Sequence, residues 1–137
     1  MKNVVNILKM IKVVLDTNIL VSALWKRPGN ASSIVDLIAL GHITPCHNAQ
    51  IISEYKNVLL RTKFRFAPSD IANLLDLITK DGLSVLSKLS SIPFADESDR
   101  VFYDVAVTCG AYLVTGNGKH YPNEPFILTP AQFLSQI

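Results

Sequence analysis

The sequence predicts an α/β fold, a three-layer α/β/α sandwich in which helices cover both faces of a central, mainly parallel sheet. The first observation is the run Val13-Val14-Leu15, whose lack of polar alternation is typical of a strand buried on both faces. The second is that short apolar runs alternate with segments of helical periodicity along the chain. The third is the length of 137 residues, 49% of them hydrophobic, which suits one well-filled domain.

The opening strand ends abruptly at a carboxylate, Asp16. Thr17 or Asn18 can cap the short helix that we predict over 19–25. Asp16 therefore lies on the turn between the carboxyl end of a strand and a helix, which is where open α/β sheets bind ligands. Taken alone, Asp16 can equally be only a turn or cap residue.

The next predicted elements are a helix over 33–40, capped by Asn30 or Ser32, and a short strand over 43–46. The strand contains Pro45, which has no backbone N–H to donate to a neighbouring strand. We therefore expect this strand near an edge of the sheet.

A third helix begins after Asn48, which is a good capping residue. Its apolar stripe repeats at helical spacing, and Glu54 lies at the margin of that stripe. A carboxylate in this position needs an explanation, which is either a function or a surface ion pair with Lys56 or Lys88. The residues of the stripe are Ile51, Ile52, Tyr55, Val58 and Leu59.

The second half of the chain continues the alternation of helices and strands. Pro68 begins a helix that Gly82 ends, and an acidic cluster over 95–100 opens a later helix that Gly110 ends. The remaining elements, in chain order, are a strand over 83–86, the helix over 101–109, strands over 111–115 and 126–128, and a terminal helix from Thr129 or Pro130 to Ile137.

Composition limits the classes of protein that fit. The formal net charge of +2 is too small to predict a broad nucleic-acid footprint. Cys46 and Cys109 are far apart and lack the spacing of a zinc site or a disulfide framework, so a reducing cytoplasm fits. We expect no signal peptide and no membrane span. Residues 1–9 are interpreted as a dispensable extension and residues 10–137 as a single domain.

Four acids stand where neutral residues are usual: Asp16 after the first strand, Glu54 beside the apolar stripe, Asp99 at a helix start and Asp104 within that helix. Each has an ordinary explanation alone, since Asp99 can interact with the helix dipole and Asp104 can face solvent. In a doubly wound sheet, however, several of them can meet at the carboxyl-end rim. Their mutual repulsion is then relieved by a divalent cation.

The donor atoms indicate which cation the predicted site would bind. Carboxylate oxygens without nearby His or Cys suit Mg²⁺ or Mn²⁺ rather than zinc. Such an ion activates water and stabilises the charge on a phosphorus under attack, so hydrolysis of a phosphodiester is the chemistry that we predict. Hydrogen-bonding side chains near the strand ends can orient the acids: Thr17, Asn18, Ser22 and Thr115.

Several segments together resemble the PIN-domain family, and most closely its VapC-like ribonucleases, the toxin subunits of type II toxin-antitoxin pairs. The resemblance covers nearly the whole chain from Met10. A lone Asp-Thr-Asn would be weak, but the first and third segments are specific in combination. The segments are 14–23, which includes Leu15-Asp16-Thr17-Asn18, then Ser53-Glu54-Tyr55, 99–106, and 110–117, which ends Thr115-Gly116-Asn117.

The resemblance implies a compact α/β/α sandwich that cleaves single-stranded RNA with Mg²⁺ or Mn²⁺. By position, Asp16, Glu54 and Asp99 match the three central acids of the family, and Asp104 matches an additional acid common in this subgroup. Asn117 is a departure, because many members have an aspartate in that turn. An asparagine there can support the site but brings no charge, which puts a second metal position or the activity itself in question.

The resemblance also implies partners, namely a cognate antitoxin that blocks the acidic pocket and a second copy of the chain in a homodimer. Aromatic residues suit either an interface or the stacking of RNA bases, and basic residues suit contact with phosphates. The aromatic candidates are Trp25, Phe64 and Phe66, and the basic ones are Arg61, Lys63, Arg65, Lys119 and His120.

Two hypotheses follow. The first is a metal-dependent ribonuclease, and the second is a PIN-like module that binds RNA or a protein but has lost turnover through Asn117. A nucleotide-binding domain is disfavoured, because no glycine-rich phosphate loop follows a strand. A phosphoacceptor receiver domain is disfavoured as well, since the lysine turn it needs is not evident at Gly118-Lys119.

Overall fold

A computed structural model describes residues 11–137, so the predicted extension over residues 1–9 lies outside the described residues. The strands are β1 (Lys12–Leu15), β2 (Thr44–His47), β3 (Leu83–Ser84), β4 (Tyr112–Val114) and β5 (Ile127–Leu128). The helices are α1 (Thr17–Trp25), α2 (Asn30–Ala39), α3 (Ala49–Leu59), α4 (Pro68–Asp81), α5 (Arg100–Cys109) and α6 (Pro130–Gln136). Two 3₁₀ turns cover Glu97–Asp99 and Gly118–His120.

The five strands form one sheet in the order β3-β2-β1-β4-β5, and every neighbouring pair is parallel. The side chains of Val13 and Val14 point to opposite faces of β1, and both are 0% exposed. Both faces of the central strand are therefore covered. The predicted α/β sandwich with a mainly parallel sheet is confirmed.

β2 lies second from the edge of the sheet, between β1 and the two-residue strand β3, so it is near an edge as expected but is not the edge strand. Thr44 N donates to Ile11 O toward β1, so the next residue, Pro45, faces the opposite side. On that side β3 begins only at Leu83, which pairs with Cys46. Pro45 is tolerated inside the sheet because its missing N–H faces a position that the short β3 does not reach.

Several helices begin where the sequence predicts, and others begin a few residues away from the predicted start. Asn48 caps α3 by accepting a 2.9 Å hydrogen bond from Ile51 N, and Thr129 caps α6 in the same way. Thr17 and Asn18 do not cap α1, because Asp16 itself is its capping residue. Likewise Gly29, rather than Asn30 or Ser32, occupies the cap position of α2. Gly110 ends α5 with a positive φ of 67°, a conformation that favours glycine.

The two cysteines lie next to each other although 62 residues separate them in the chain, a contact that sequence spacing did not predict. Both are free thiols, Cys46 in β2 and Cys109 at the end of α5. A hydrogen bond between them lowers the pKa of Cys109 to about 7. The same contact and burial raise the pKa of Cys46.

Candidate active site

The candidate site lies where β1 and β4 end side by side. Asp16 directly follows β1 and Thr115 directly follows β4, and Asp16 N donates a 2.9 Å hydrogen bond to Val114 O. In the sheet, β2 and β3 lie on one side of β1, and β4 and β5 lie on the other. The strand order therefore reverses between β1 and β4, the point at which parallel sheets form a crevice.

The carboxylate of Asp16 is buried, with the residue 7% exposed, and accepts four hydrogen bonds. Oδ1 accepts one from Thr17 N at 2.8 Å. Oδ2 accepts three, from Thr115 Oγ1 at 2.7 Å, Tyr121 OH at 3.1 Å and Asn18 Nδ2 at 3.3 Å. These donors fix the orientation of the carboxylate, and the less crowded Oδ1 keeps a lone pair for a ligand.

The turns after β1 and β4 are tied to each other as well as to Asp16. Asn18 Oδ1 accepts a 3.1 Å hydrogen bond from Gly116 N, and Thr115 Oγ1 accepts one of 3.0 Å from Asn117 N. The structure thus brings the predicted supporting residues Asn18 and Thr115 directly against Asp16. Asn117 joins the network only through its backbone, and the residue is exposed.

The other two predicted supporting residues differ from each other. Thr17 reaches Asp16 through its backbone N–H, and its buried Oγ1 has no hydrogen-bond partner among residues 11–137. Ser22 is exposed on the second turn of α1 and lines a surface hollow with Lys26 and Thr129. No hydrogen bond joins Ser22 to a site acid within residues 11–137, so its supporting role stays a prediction.

Asp99 lies at the end of the first 3₁₀ turn, with its side chain 14% exposed. Burial and the nearby carboxylates of Asp16, Asp96 and Glu54 raise its pKa to about 6. His120 acts in the opposite direction, since its Nδ1 lies 3.7 Å from Asp99 Oδ2. The structure therefore brings Asp99 within electrostatic range of Asp16 and Glu54, as the sequence predicts.

Glu54 lies half-buried on α3, beside the buried stripe. The ion pairs considered for it, with Lys56 or Lys88, are absent from the described part of the chain, and so is any hydrogen bond to its carboxylate. Its charge is one of the causes of the raised pKa of Asp99. Glu54 is thus a carboxylate that no other described side chain pairs with, and its negative charge acts on Asp99.

Asp104 is not brought to the other three acids. The residue is 4% exposed, and its Oδ2 accepts a 3.1 Å hydrogen bond from Ser90 N. It faces a hollow shared with Glu97 and Arg100. Asp99 and Asp104 are five residues apart, which is about 140° around a helix, so they point in different directions. Asp104 as a metal ligand stays a prediction, and its observed contact is with the linker before α5.

Sequence reasoning missed two tyrosines that support this site. Tyr121 donates to Asp16 Oδ2, and burial together with the neighbouring Asp16 and Asp99 raises the pKa of Tyr121, so that its hydroxyl stays protonated. Tyr55 OH donates a 2.6 Å hydrogen bond to Leu15 O and holds the end of β1. No sequence signal marked Tyr121, which lies 105 positions from Asp16. The sequence indicates Tyr55 only as a residue of the buried stripe.

The arrangement fits a divalent cation in its chemistry. Asp16, Glu54 and Asp99 offer carboxylate oxygens, which are the donors that Mg²⁺ and Mn²⁺ prefer. Burial first, and then repulsion from the neighbouring carboxylates, raises the pKa of Asp99, and a cation would offset both effects. The unpartnered Oγ1 of Thr17 is a further oxygen beside Asp16. Among residues 11–137, no three acidic, histidine or cysteine side chains are already gathered as a metal-binding group.

Comparison with protein families gives a match that covers most of the chain. The family model described as the PIN domain matches residues 12–119, which include all the acids discussed above. PIN domains are in general metal-dependent nucleases that use divalent ions. No curated protein matches the chain. Within residues 11–137, no helix is long and apolar enough to cross a membrane. The resemblance noted in the sequence is thereby confirmed, and the chain belongs to the PIN-domain family.

Proposed function

We propose that this protein is a Mg²⁺- or Mn²⁺-dependent endoribonuclease that cleaves single-stranded RNA. The observation that carries the proposal is the buried, fourfold hydrogen-bonded Asp16 at the point where the strand order reverses, with Asp99 and Glu54 in electrostatic range. A carboxylate held this firmly beside two like charges suits a cation and its phosphate ligand better than it suits a structural role.

Asp16, Glu54 and Asp99 are the residues that would hold the ion. A divalent cation there supplies Lewis-acid stabilisation of a phosphate oxygen and activation of water. Thr115 and Tyr121 keep Asp16 Oδ2 in one orientation, which leaves Oδ1 as the freer oxygen. Such supporting hydrogen bonds commonly change metal affinity or activity by about 10- to 100-fold.

The turn after β4 is the part of the rim suited to the RNA backbone. Lys119 and His120 are exposed and follow Asn117 directly. The imidazole of His120 lies next to Asp99, with Nδ1 3.7 Å from Asp99 Oδ2, so a side chain that can donate a hydrogen bond borders the acidic site. Basic side chains at such a rim bind phosphates and position the strand without selecting its sequence.

The alternative is a PIN domain that binds RNA or a protein but has lost turnover. Two observations favour it: Asn117 contributes no charge, and the acids of the described residues are not gathered into a finished metal group. The substitution Asn117→Asp separates the two hypotheses. If the alternative is correct, this variant gains metal-dependent cleavage that the unchanged protein lacks.

The biological setting is proposed on the resemblance to VapC-like proteins. We infer that the protein is the toxin of a toxin-antitoxin pair in the cytoplasm, that its antitoxin blocks the acidic crevice, and that it forms a homodimer. Co-expression with the product of the neighbouring gene, followed by purification and mass measurement, tests these partners. A lack of any complex and a monomeric mass would contradict them.

The activity is tested with a mixed pool of single-stranded RNA and purified protein in Mg²⁺, Mn²⁺ or chelator. The proposal predicts cleavage that requires the metal and is absent in the folded Asp16→Asn variant. Cleavage that persists in chelator but is lost in Asp16→Asn would mean that the protein cleaves RNA without a metal, which contradicts the proposal.

A further inference from the structure

Three aromatic rings form a cluster on the surface, which we call the aromatic platform and define as Trp25, Phe64 and Phe66. The rings of Phe64 and Phe66 are stacked, with centroids 5.4 Å apart and an interplanar angle of 8°. Trp25 meets both edge-on, at 5.6 Å from Phe64 and 6.5 Å from Phe66. Trp25 is therefore held in place by its neighbours, as a preformed binding surface requires.

The platform faces solvent. Trp25 is 69% exposed, whereas most other large apolar residues of the described chain are in the core. It is the only tryptophan in the sequence. A rigid, exposed indole is the kind of side chain on which a base stacks, because stacking needs a free π face and little loss of side-chain freedom.

Cations surround the platform. Arg61, Lys63 and Arg65 alternate with the two phenylalanines along the loop over 60–67, all three are exposed, and the loop contains no acid. Lys63 Nζ lies 5.1 Å from the centre of the Phe64 ring. The nearby Arg27, in contrast, is paired with Asp36. Within the part of the chain that the structure describes, the three loop cations have no carboxylate partner, so they are available to phosphates.

The backbone of the loop holds this arrangement at a conformational cost. Arg65 has a positive φ of 54°, a backbone conformation that residues other than glycine rarely adopt. Phe64 and Phe66, which flank it, are the stacked pair. Strained backbone of this kind is found most often at binding and catalytic sites.

The platform lies at the far end of two helices that begin at the acidic crevice. Asp16 caps the start of α1 and Trp25 ends it, nine residues later, which corresponds to about 14 Å. Helix α3 carries Glu54 and leads directly into the loop with the phenylalanines. At about 3.4 Å or more per nucleotide, about four nucleotides or fewer span this distance.

We propose that the aromatic platform and its loop cations form a second contact for single-stranded RNA, in which a base stacks on Trp25 while Lys63 and Arg65 bind the flanking phosphates. The inference rests on the proposed function, because a strand cleaved beside Asp16 must continue across the surface. The charge of the loop favours nucleic acid, since Arg61, Lys63 and Arg65 carry three positive charges and the loop over 60–67 contains no acid to balance them. The closely spaced cations match a phosphate backbone in charge.

The experiment uses the full chain with Asp16→Asn, which prevents cleavage, and a twelve-nucleotide oligouridine RNA. Fluorescence of the single tryptophan reports stacking directly, and we expect quenching that saturates with RNA. Anisotropy of labelled RNA then compares Trp25→Leu, which keeps apolar area but removes the π face, with Trp25→Phe, which keeps a ring. We expect Trp25→Leu to weaken binding by about 5- to 100-fold and Trp25→Phe to weaken it much less.

The salt dependence of RNA affinity tests the loop cations. Lys63→Ala should reduce the slope of log affinity against log salt by about 0.7, the value for one phosphate contact on a single strand. Lys80→Ala, an exposed lysine at the opposite end of α4, should leave the slope unchanged. The far-ultraviolet circular dichroism of each variant establishes that it is folded.

Two results would overturn the proposal. One is RNA binding without a change in tryptophan fluorescence and with equal affinity in Trp25→Leu. The other is a fluorescence change that depends on protein concentration without RNA, together with a dimeric mass that falls to the monomer in Trp25→Leu, which would make the platform an interface between proteins. Cleavage by the unmodified protein is measured separately, so absence of cleavage with intact binding rejects the nuclease and keeps the platform.

Discussion

Asp16 and Asp104 are both buried acids, 7% and 4% exposed, yet their surroundings differ in kind. Asp16 accepts four hydrogen bonds at the junction of two parallel strands and has other carboxylates in electrostatic range. Asp104 accepts one, from Ser90 N, and has the guanidinium of Arg100 nearby. The two buried acids therefore differ in the sign of the charges around them, and we expect this difference rather than burial to separate a functional acid from a structural one.

The largest expected effect separates these two acids by activity. Asp16→Asn should reduce RNA cleavage by more than about 100-fold, the upper end of what supporting residues alone contribute. Asp104→Asn should retain cleavage within about threefold, because Asp104 does not face the crevice. Rates measured side by side on one RNA in Mg²⁺ test this, and equal loss in both variants would break the comparison.

The hydrogen bonds to Asp16 are expected to matter next. Tyr121→Phe removes one donor from Asp16 Oδ2 without changing the packing, and cleavage should fall by about 10- to 100-fold. Tyr103→Phe is the matched control, since Tyr103 is also buried but donates to no acid in the described chain. If both variants cleave like the unmodified protein, the donors do not orient Asp16 as we argue.

Asp104 should matter for stability instead. Asp104→Ala leaves Ser90 N without its acceptor, and we expect a loss of about 1–3 kcal/mol in the free energy of unfolding. Asp104→Asn keeps an acceptor oxygen and should lose less. Urea denaturation of the two variants measures the difference, and an unchanged midpoint in Asp104→Ala would contradict the structural role.

The smallest effect concerns Asp99 in the presence of chelator. Its pKa is about 6 in the folded protein and 3.8 as an ordinary group, so the folded state disfavours its charged form. The favourable contribution of the Asp99 carboxyl to the free energy of unfolding is complete below pH 3.8 and is lost as the pH rises to about 6. Asp99→Asn should therefore stabilise the protein at pH 7 by about 1 kcal/mol, after allowance for solvent screening, and should have little effect near pH 3.5. Thermal unfolding across this range tests it.

Much of the fold could be predicted because its signals are local. The buried run of β1, the cap at Asn48 and the stripe of α3 each depend on neighbouring residues, and the structure has them at those places. The pairing of β2 on both sides could not be predicted, because tolerance of Pro45 depends on where β3 begins, which is a property of two distant segments. The contact between Cys46 and Cys109 was missed for the same reason.

The candidate site could be predicted in part. Asp16 and Thr115 follow buried strands, so parallel topology alone places them at one edge, and Asn18 follows from its proximity to Asp16. Tyr121 could not be found, because its contact depends on the path of the loop after β4. The role of Asp104 as a metal ligand stays a prediction, and its spacing of five residues from Asp99 is about 140° around a helix.

The most direct test of the central claim is a calorimetric titration of the metal-free protein with Mn²⁺, performed on the unmodified chain, Asp16→Asn and Asp104→Asn. The account predicts binding that is lost in Asp16→Asn and retained in Asp104→Asn. Equal binding by Asp16→Asn and the unmodified chain would mean that the carboxylates at the junction of β1 and β4 are not the metal site, and the proposed mechanism would then be wrong.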